Sequence, residues 1–428
     1  LLIALDCGTS SAAEIADLRD RGADVIVVDH HEPKSALPEC VAIVNPKIDP
    51  ACVFHYLCTA GIVFKLCHAL LKTRPIEFDL KSRLDLVALA TVADIVPLCD
   101  ENRTFVQRGA IEIARSTRPG LKKLMEISGV KRPILTDDIG YRLGPRLNAA
   151  GRLSTAEKSL RLLLTQDANE AAELAEFLDK QNRERQDVEK RIFAAAEENI
   201  AKEFDSSRDA AIVVWARGWH PGVLGIVASR IAHKHHRPTI VIGFDENGAG
   251  KGSGRSIDGL NLVQALTRCG EKLQKYGGHE MAVGLTTQEK DVDVFAEQFR
   301  SVARELLSDE DLLPRLRLDH EISFAELSSD FLGWHEMLQP FGNGNPQPLF
   351  FARGVESVIA PRLVGENHLA LVLRQQNYQR RAIFFGAAEI SLPAQPWDIA
   401  FRIRPDDYEG ETRLEMRVEG VRESAPVS

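Results

Sequence analysis

Two short apolar runs near the start of the chain have the pattern of buried parallel strands. Leu1–Leu5 is uniformly apolar and ends in Asp6, and Val25–Val28 is Val-Ile-Val-Val followed by Asp29. Apolar runs without polar alternation are typical of strands that are covered on both faces. The polar, amphipathic stretch Ser11–Arg21 between them predicts a helix. The order strand, helix, strand indicates an α/β domain with a parallel sheet.

The same pattern continues with a third short strand at Ile43-Val44 and with helices predicted at about 60–71 and at Leu84–Ala93. We assign this α/β domain to residues 1–178. Residues 167–204 are rich in charge and contain no Gly or Pro, which predicts a long helix. A charged helix of this kind is typical of a connector that crosses solvent between two domains, and we assign the connector to residues 179–204.

A second α/β domain is expected at 205–306. It begins with the apolar strand Ala211–Trp215 and includes the strand Thr239–Ile242, and Gly-rich turns are expected at 248–254 and 277–278. In residues 310–428 the pattern changes to short segments in which apolar and polar residues alternate. These segments predict a small β-barrel of the OB-fold type. Four residues there form either a strand-binding face or ordinary barrel surface: Phe401, Arg402, Arg404 and Tyr408.

Composition narrows the classes of function. The chain of 428 residues has 53 Lys+Arg against 62 Asp+Glu, a net charge of −9, so it lacks a general basic coat for nucleic acid. Local basic grooves remain compatible with that balance. Seven cysteines without paired close spacing predict reduced thiols and a cytoplasmic setting. No apolar run approaches the roughly 18 residues that span a bilayer.

Chemistry is concentrated where the predicted strands end. Asp6 follows the first strand, and Asp29-His30-His31 follows the second. Ligands of open parallel sheets bind beyond the carboxyl ends of the strands, so these residues are expected to share one crevice. Asp94, after the apolar helix, is a further candidate. Carboxylates and imidazoles together are suitable ligands for Mn²⁺ or Mg²⁺. Two such ions about 3.5 to 4 Å apart would bind the attacking oxygen and the leaving oxygen of a phosphoryl displacement. Each Asp alone also fits a turn or helix cap.

These residues carry a resemblance to a known family. Leu-Asp6-Cys-Gly, Val-Val-Asp29-His-His-Glu-Pro and Thr-Val-Ala-Asp94-Ile-Val-Pro-Leu resemble the DHH phosphoesterase superfamily and, within it, the RecJ single-strand exonucleases. The resemblance extends over nearly the whole chain. It includes motifs at 144–152 and 218–230, motifs at 251–256 and 276–284 that resemble the DHHA1 domain, and one at 341–350 that resembles the RecJ OB-fold domain.

The resemblance implies a divalent-metal-dependent enzyme that degrades single-stranded DNA from the 5′ end to mononucleotides in repair and recombination. It implies that Asp6, His30 and Asp94 are metal ligands, with Mn²⁺ or Mg²⁺ as the cofactor. It further implies that Asp29 and His31 complete the signature as catalytic residues, and that His31 is the one of the two expected to touch the scissile phosphate. Single-stranded DNA is the expected partner, with a single-strand-binding protein and a helicase as protein partners.

One departure from the family pattern matters. The family's first motif, an Asp-rich segment on an earlier strand, is absent, so the chain is expected to be N-terminally shortened and its metal site incomplete. Whether the chain is active by itself is left open. Two alternatives also stay open at this point: a DHH-type phosphodiesterase or pyrophosphatase acting on small substrates, and a non-catalytic single-strand-binding scaffold.

Substrate contacts are expected from two groups of polar residues. Arginines offer planar donors to phosphate, and small residues let a strand approach the backbone. The first group is Arg142, Arg146, Asn148 and Arg152, which also fits a capped helix with solvated arginines. The second group would hold the 5′ end and comprises Ser253, Gly254, Arg255, Ser256, Gly277, Gly278 and His279. His220 either lines the same cleft or has a structural role.

Overall fold

The computed structural model describes residues 1–33, 36–153, 155–408 and 411–425. The chain forms two compact units. The first unit consists of Leu1–Ser116, Lys131–Gly144 and Leu316–Ser428, and the second consists of Thr117–Val130 and Pro145–Arg315. All seven cysteines are free. Among the described residues, no helix is both long enough and apolar enough to cross a membrane.

The first unit opens with the predicted parallel sheet. Its elements are β1 (Leu2–Leu5), α1 (Ala12–Asp20), β2 (Val25–Val28) and β3 (Ala42–Val44). The strand order is β1-β2-β3, and Leu5 pairs with Val28, which pairs with Val44. This register brings the carboxyl ends of all three strands to one edge. The residues that follow those ends are therefore neighbours, as the sequence predicted.

The expectation that the first strand is buried is wrong. Leu1 is 82% exposed, and Ile3 and Leu5 are each 51% exposed. In the part of the chain that the structure describes, β1 pairs with β2 on one side and with no strand on the other. β2 has a strand on both sides, and Val25, Val27 and Val28 are completely buried. An apolar run does not by itself distinguish a central strand from an edge strand.

Three helices follow the sheet: α2 (Thr59–Thr73), α3 (Leu84–Ala93) and α4 (Asp100–Arg115). Helix α3 has the predicted bounds and ends directly before Asp94. Gly109 lets α4 lie close to it, because a Cβ at Gly109 would be 2.3 Å from the Leu84 carbonyl oxygen and 2.4 Å from Cβ of Ala88. Close packing without a side chain therefore fixes the helix that presents Asp94.

The next part of the chain is helical. It contains α5 (Pro119–Ser128), a π-helical segment (Asp138–Leu143), α6 (Gly144–Leu153), α7 (Glu157–Leu164) and α8 (Ala168–Glu203). The side chain of Asp167 accepts hydrogen bonds from the first turn of α8, as its N-cap. Ala175, Leu178, Ile192 and Ala196 of α8 are buried. The long helix is confirmed, but it packs along one face instead of only bridging solvent.

The second unit contains a mixed sheet. Its elements are β4 (Ile212–Arg217), α9 (Pro221–His235), β5 (Thr239–Phe244), β6 (Ala249–Arg255), α10 (Leu262–Arg268), β7 (Lys275–Gly278), β8 (Ala282–Gln288) and α11 (Val292–Leu306). The strand order is β4-β5-β6-β8-β7, and only β4 and β5 are parallel. Val214 and Val241 face α9, whereas Val213 and Ile240 face α11. Alternate strand residues thus supply both cores.

The two predicted Gly-rich turns are strands. β6 lies in the middle of the sheet, and it pairs with β5 on one side and β8 on the other. A Cβ at Gly252 would lie 2.8 Å from Leu285, and one at Gly254 would lie 2.7 Å from Val283. Glycine is required here by side chains of neighbouring strands and not by a turn. The 253–254 amides belong to a strand that is paired on both sides, so they do not lie in a turn with amides exposed to a phosphate.

The described residues from 316 onward form the predicted β-barrel, with β9 (His320–Glu321), α12 (Ser329–Glu336), β10 (Phe350–Ser357), β11 (Arg362–Val364), β12 (His368–Gln375), β13 (Tyr378–Phe385), β14 (Trp397–Tyr408) and β15 (Glu411–Glu423). Five strands close in the order β10-β12-β13-β15-β14, because β10 pairs with both β12 and β14. Closure removes the strand edges of the barrel wall.

The barrel does not present the four-residue face considered from the sequence. Phe401 is completely buried in the barrel core. Nε of Arg402 lies 3.6 Å from Glu419, and Nε of Arg404 donates to Glu415 at 2.6 Å. The side chain of Tyr408 lies outside the described residues. Phe401 is therefore a core residue, and both arginines have carboxylate neighbours.

Candidate functional site

Carboxylates and an imidazole from three separate elements converge beside the sheet of the first unit. Nε2 of His30 lies 3.6 Å from Oδ1 of Asp6 and 3.3 Å from Oδ2 of Asp94. Asp6 follows β1, His30 follows β2, and Asp94 follows α3. The expected crevice at the carboxyl edge of the sheet thus contains all three proposed metal ligands.

The backbone beside two of these residues is unusual. Asp6 has a φ of 63°, and Ile95, directly after Asp94, has a φ of 57°. Aspartate tolerates the left-handed region because its short polar side chain bonds locally, whereas a β-branched residue rarely adopts it. The Asp6 amide donates to the Val28 carbonyl oxygen at 3.0 Å. The chain therefore turns sharply at the point where each carboxylate leaves its element.

Asp29 holds its neighbours in place rather than facing the crevice. It is 1% exposed, and its oxygens accept from the amides of Thr9 at 3.1 Å and His30 at 2.8 Å. Nδ1 of His31 lies 2.7 Å from Oδ1 of Asp29. Burial opposes ionisation of Asp29, but hydrogen bonds from Thr9, His31 and His30 outweigh it and hold the pKa of Asp29 below its usual range.

An ionised Asp29 fixes the tautomer of His31. Because a carboxylate only accepts, Nδ1 of His31 carries the hydrogen and Nε2 is left as the outward nitrogen. The side chain of His31 is 53% exposed, and its ring lies 4.7 Å from the ring of His30 in an edge-to-face arrangement. His31 is thus oriented by a buried group and accessible to a ligand.

Sequence reasoning missed two residues that brace this site. Nδ2 of Asn45 donates to Oγ1 of Thr9 and to the carbonyl oxygen of His31, both at 2.9 Å. Thr9 is completely buried beside Asp29. Asp6 and Asp29 were identified as polar residues at the end of an apolar strand. Asn45 follows β3, so the same signal applies to Asn45.

The donor set fits a divalent cation. The ligand atoms of Asp6, His30 and His31 all lie within 4.8 Å of one another. Burial raises the pKa of Asp94, and the nearby Asp6 carboxylate raises it further, while His30 opposes both. Two carboxylates that disfavour each other's charge are stabilised when a cation binds between them. Oxygen and imidazole ligands without thiolate match Mn²⁺ or Mg²⁺ better than a structural zinc.

The second unit contains a basic cluster around Arg255. Nη1 of Arg255 donates to Oγ of Ser253 at 3.1 Å and to the Gly254 carbonyl oxygen at 2.7 Å. Among the described residues, no carboxylate forms an ion pair with Arg255. Burial lowers the pKa of Arg255, and the positive charge of Arg152 lowers it further. The guanidinium of Arg255 is therefore partly buried, lies near that of Arg152 and has no described carboxylate as counter-ion. Such a group is suited to bind an anion.

The N-terminus of α9 belongs to the same cluster. His220 is the N-cap, and its Nδ1 accepts from the Gly222 amide at 3.1 Å, whereas Nη1 of Arg152 donates to the Gly222 carbonyl oxygen at 3.2 Å. Gly225 leaves room for Arg255, because a Cβ there would lie 2.9 Å from Nη2 of Arg255. The positive end of the helix dipole adds to the two arginines. For His220, the structure shows a capping role.

Several of the other proposed substrate-binding residues already have partners within the protein. Nε of Arg146 donates to Asp179 at 2.8 Å inside the second unit, so its guanidinium already has a carboxylate partner. Nη1 of Arg142 lies 3.5 Å from Asp138 in the first unit. Oγ of Ser256 donates to the Leu260 carbonyl oxygen at 2.6 Å. The exposed members of the two groups are Arg142, Asn148, Arg152, Gly277, Gly278 and His279.

Comparison with known families covers most of the chain. Residues 1–91 match the DHH family, N-terminal domain, and residues 208–305 match the DHHA1 domain. Residues 318–420 match the RecJ OB domain. The three matches occur in the order expected from the resemblance of the motifs.

Two relatives are single-stranded-DNA-specific exonucleases named RecJ. The protein of Bacillus subtilis (strain 168) is 37% identical over 398 residues, which cover 91% of this chain and 49% of that protein. The protein of Dickeya dadantii (strain 3937) is 38% identical over 397 residues, which cover 87% of this chain and 68% of that protein. The chain therefore spans about half the length of the Bacillus relative.

Solved structures agree with these matches. RecJ from Thermus thermophilus in complex with Mn²⁺ superposes with a TM-score of 0.86 at 30% identity, covering 100% of this chain and 62% of that one. A complex of RecJ from the same organism with Mg²⁺ gives a TM-score of 0.79 at 28% identity, covering 100% of this chain and 67% of that one. In sequence, in domain order and in fold, the chain belongs to the RecJ family.

Proposed function

We propose that this chain carries the metal-binding and strand-binding parts of an exonuclease that degrades single-stranded DNA from the 5′ end to mononucleotides, in repair and recombination. The observation that carries the proposal is the convergence of Asp6, His30 and Asp94, with His30 Nε2 at 3.6 and 3.3 Å from the two carboxylates. Three elements far apart in sequence meet at one edge of the sheet, where a ligand of an α/β fold is expected.

Each residue of the first unit has a proposed role. Asp6, His30 and Asp94 would hold Mn²⁺ or Mg²⁺, and a bound divalent ion supplies positive charge for the phosphodiester and lowers the pKa of water. His31 would contact the scissile phosphate through its outward Nε2. Asp29 is a positioning residue, because its oxygens are occupied by Thr9, His30 and His31.

The basic cluster of the second unit would bind the 5′ end of the strand. Arg255 and Arg152 supply positive charge, Ser253 supplies a hydroxyl, and α9 begins beside them. Support comes from a partly buried guanidinium that no described carboxylate neutralises. The proposed contacts with the rest of the strand are Arg142, Asn148, Gly277, Gly278 and His279. Arg146 is the least suited of the proposed residues to bind a phosphate, because Asp179 already neutralises its charge.

A labelled-strand assay tests the activity. The purified chain would be incubated in Mn²⁺ with single-stranded DNA labelled at the 5′ or the 3′ end, beside the His31→Ala variant. We expect the 5′ label to be released at once as a mononucleotide and the 3′-labelled strand to shorten progressively. We expect neither reaction with the His31→Ala variant. His55→Ala is the matched control, since Nε2 of His55 lies 2.9 Å from the Asp49 carbonyl oxygen, a contact that includes no residue of the cluster.

Other outcomes separate the alternatives. Binding without degradation would favour the non-catalytic single-strand-binding scaffold. Hydrolysis of a dinucleotide or of pyrophosphate, with intact longer strands, would favour a phosphodiesterase or pyrophosphatase of small substrates. Release of the 3′ label first would contradict the proposed polarity.

Strand binding is tested separately from catalysis. Arg255→Ala should weaken binding of single-stranded DNA in chelator and reduce the slope of log affinity against log salt by about 0.7, because one phosphate contact fewer releases fewer counter-ions. An unchanged slope would remove Arg255 from the phosphate contacts. Arg208→Ala is a suitable control, since Arg208 is an exposed arginine paired with Asp209.

The proposal includes a cytoplasmic setting, which the seven free cysteines support. A single-strand-binding protein and a helicase are its proposed protein partners. Co-purification of either one with the chain, in the absence of DNA, would test that part.

A further inference from the structure

The loop that follows Asp94 is held by a turn of the barrel segment. We name residues 95–98 the Asp94 loop and residues 341–345 the Asn343 turn. Nδ2 of Asn343 donates to the Ile95 carbonyl oxygen at 2.7 Å. The carbonyl oxygen of Asn343 accepts from the Leu98 amide at 2.6 Å. One residue thus binds the Asp94 loop at two points, directly behind a candidate metal ligand.

The Asp94 loop needs to be held because its backbone is strained. Asp94 ends helix α3, and the Ile95 amide still donates to the Val92 carbonyl oxygen at 3.2 Å. The residue at this position of a helix end is usually glycine, because it takes a left-handed conformation. Ile95 has a φ of 57° and is 71% exposed. Because its side chain is exposed, burial does not hold Ile95 in this conformation, and the contacts at its backbone are the hydrogen bonds on its amide and its carbonyl oxygen.

The two glycines of the Asn343 turn allow this close approach. A Cβ at Gly342 would lie 2.7 Å from Cδ1 of Leu98. Gly344 has a φ of 73°, and a Cβ there would lie 2.9 Å from Cβ of Pro97. The turn therefore fits the Asp94 loop only because both positions lack a side chain.

The Asn343 turn is braced by its own part of the chain. Nδ2 of Asn345 donates to the carbonyl oxygens of Leu338 at 2.9 Å and Pro340 at 2.8 Å. The Gly342 amide donates to the Asn345 carbonyl oxygen at 2.9 Å. These bonds make the turn a fixed support, which is the property a positioning element requires.

We propose that Asn343 is a positioning residue for the metal site. It keeps Ile95 left-handed, which sets the direction in which the chain leaves α3 and keeps the Asp94 carboxylate beside His30. The inference rests on the proposed function, because it assumes that Asp94 and His30 share a divalent cation. It also couples the barrel to that site: a change in the Asn343 turn alters metal affinity without touching a ligand.

Calorimetric titration of the whole chain with Mn²⁺ tests this role. Asn343→Asp keeps the shape but places an acceptor against the Ile95 carbonyl oxygen, so we expect Mn²⁺ affinity to fall about tenfold, the usual effect of losing a residue that orients a ligand. Gln347→Ala is the matched control, because Nε2 of Gln347 donates to the Ile403 carbonyl oxygen at 2.6 Å, within the barrel. We expect its Mn²⁺ affinity to be unchanged.

A rescue variant separates positioning from general stability. Glycine adopts a positive φ without strain, so Ile95→Gly added to Asn343→Asp should restore part of the Mn²⁺ affinity. Asn343→Ala removes the donor without adding charge and is the second variant if Asn343→Asp does not fold. Thermal melts in chelator accompany every variant.

The outcomes are distinct. Folded Asn343 variants with wild-type Mn²⁺ affinity would overturn the positioning role and leave the proposed function intact. An equal loss of affinity in Gln347→Ala would also overturn it, because the effect would then be general destabilisation. A wild-type chain that does not bind Mn²⁺ would overturn the metal site of the proposed function and this inference together.

Discussion

Nε2 of His30 lies 3.3 Å from Oδ2 of Asp94, although one residue follows a strand and the other follows a helix. The parallel register of the sheet presents His30 at its carboxyl edge, and the close packing of α3 on α4 presents Asp94. Their distance is therefore a property of the packing of the first unit.

Replacing His30 should affect metal binding and not strand binding. His30→Ala removes the imidazole that lies between Asp6 and Asp94. We expect Mn²⁺ affinity to fall at least about tenfold, since even residues that only orient a ligand have effects of this size. Calorimetry measures the affinity, and fluorescence anisotropy in chelator measures single-strand binding. A His30→Ala chain with unchanged Mn²⁺ affinity would exclude the proposed ligand set.

Gly225→Ala should weaken strand binding without removing a charge. The added Cβ would lie 2.9 Å from Nη2 of Arg255 and 3.1 Å from Oγ of Ser253, so the guanidinium must move. We expect anisotropy to show an affinity loss that approaches that of Arg255→Ala. Gly333→Ala is the matched control, because Gly333 lies in α12 and a Cβ there meets nothing within 4 Å. Equal affinities for both glycine variants would show that the position of Arg255 is unimportant.

Asp179→Asn should destabilise the second unit in a pH-dependent way. The side chain of Asp179 is 5% exposed, and burial raises its pKa, but hydrogen bonds from Arg183 and Arg146 outweigh burial and lower it. The Asp179→Asn change removes a buried negative charge that accepts hydrogen bonds from both Arg146 and Arg183, so we expect a loss of about 3 kcal/mol in the free energy of unfolding at neutral pH.

The sign of the pH dependence follows from the lowered pKa. The Asp179 contribution is complete above the unfolded-state pKa of about 4 and is lost as the pH falls through the lower folded-state pKa. Urea denaturation should therefore show wild type and Asp179→Asn converging below about pH 4. Asp17→Asn is the control, because its exposed pair with Arg21 contributes about 0.5 kcal/mol or less. A constant difference at all pH values would contradict this account.

Alkylation should distinguish the cysteines by burial. Cys7 is exposed, whereas Cys269 is 1% exposed and burial raises its pKa to about 11. Because the thiolate is the reactive form, iodoacetamide at a pH of about 8 should label Cys7 first and Cys269 only after unfolding in urea. Mass spectrometry of timed samples measures both rates. Comparable rates for Cys7 and Cys269 in the folded chain would contradict the packing around α10.

The sequence by itself determined several elements of the first unit and the edge of the sheet at which the candidate site lies. Val25–Val28 and Leu84–Ala93 have the predicted bounds, because both runs are apolar enough to require burial. Since parallel strands end at a common edge, the residues after β1 and β2 were expected to meet, and they do. Local pattern and the geometry of a parallel sheet were sufficient for these inferences.

Only the tertiary structure decided what each polar side chain does. The sequence pattern does not show that Asp29 turns inward to Thr9, that Asp179 neutralises Arg146, or that Asn343 supports the loop after Asp94. It also does not show that Gly252 and Gly254 lie in a central strand under neighbouring side chains. Each of these facts depends on contacts between residues far apart in the chain, and such contacts form only when the elements pack together.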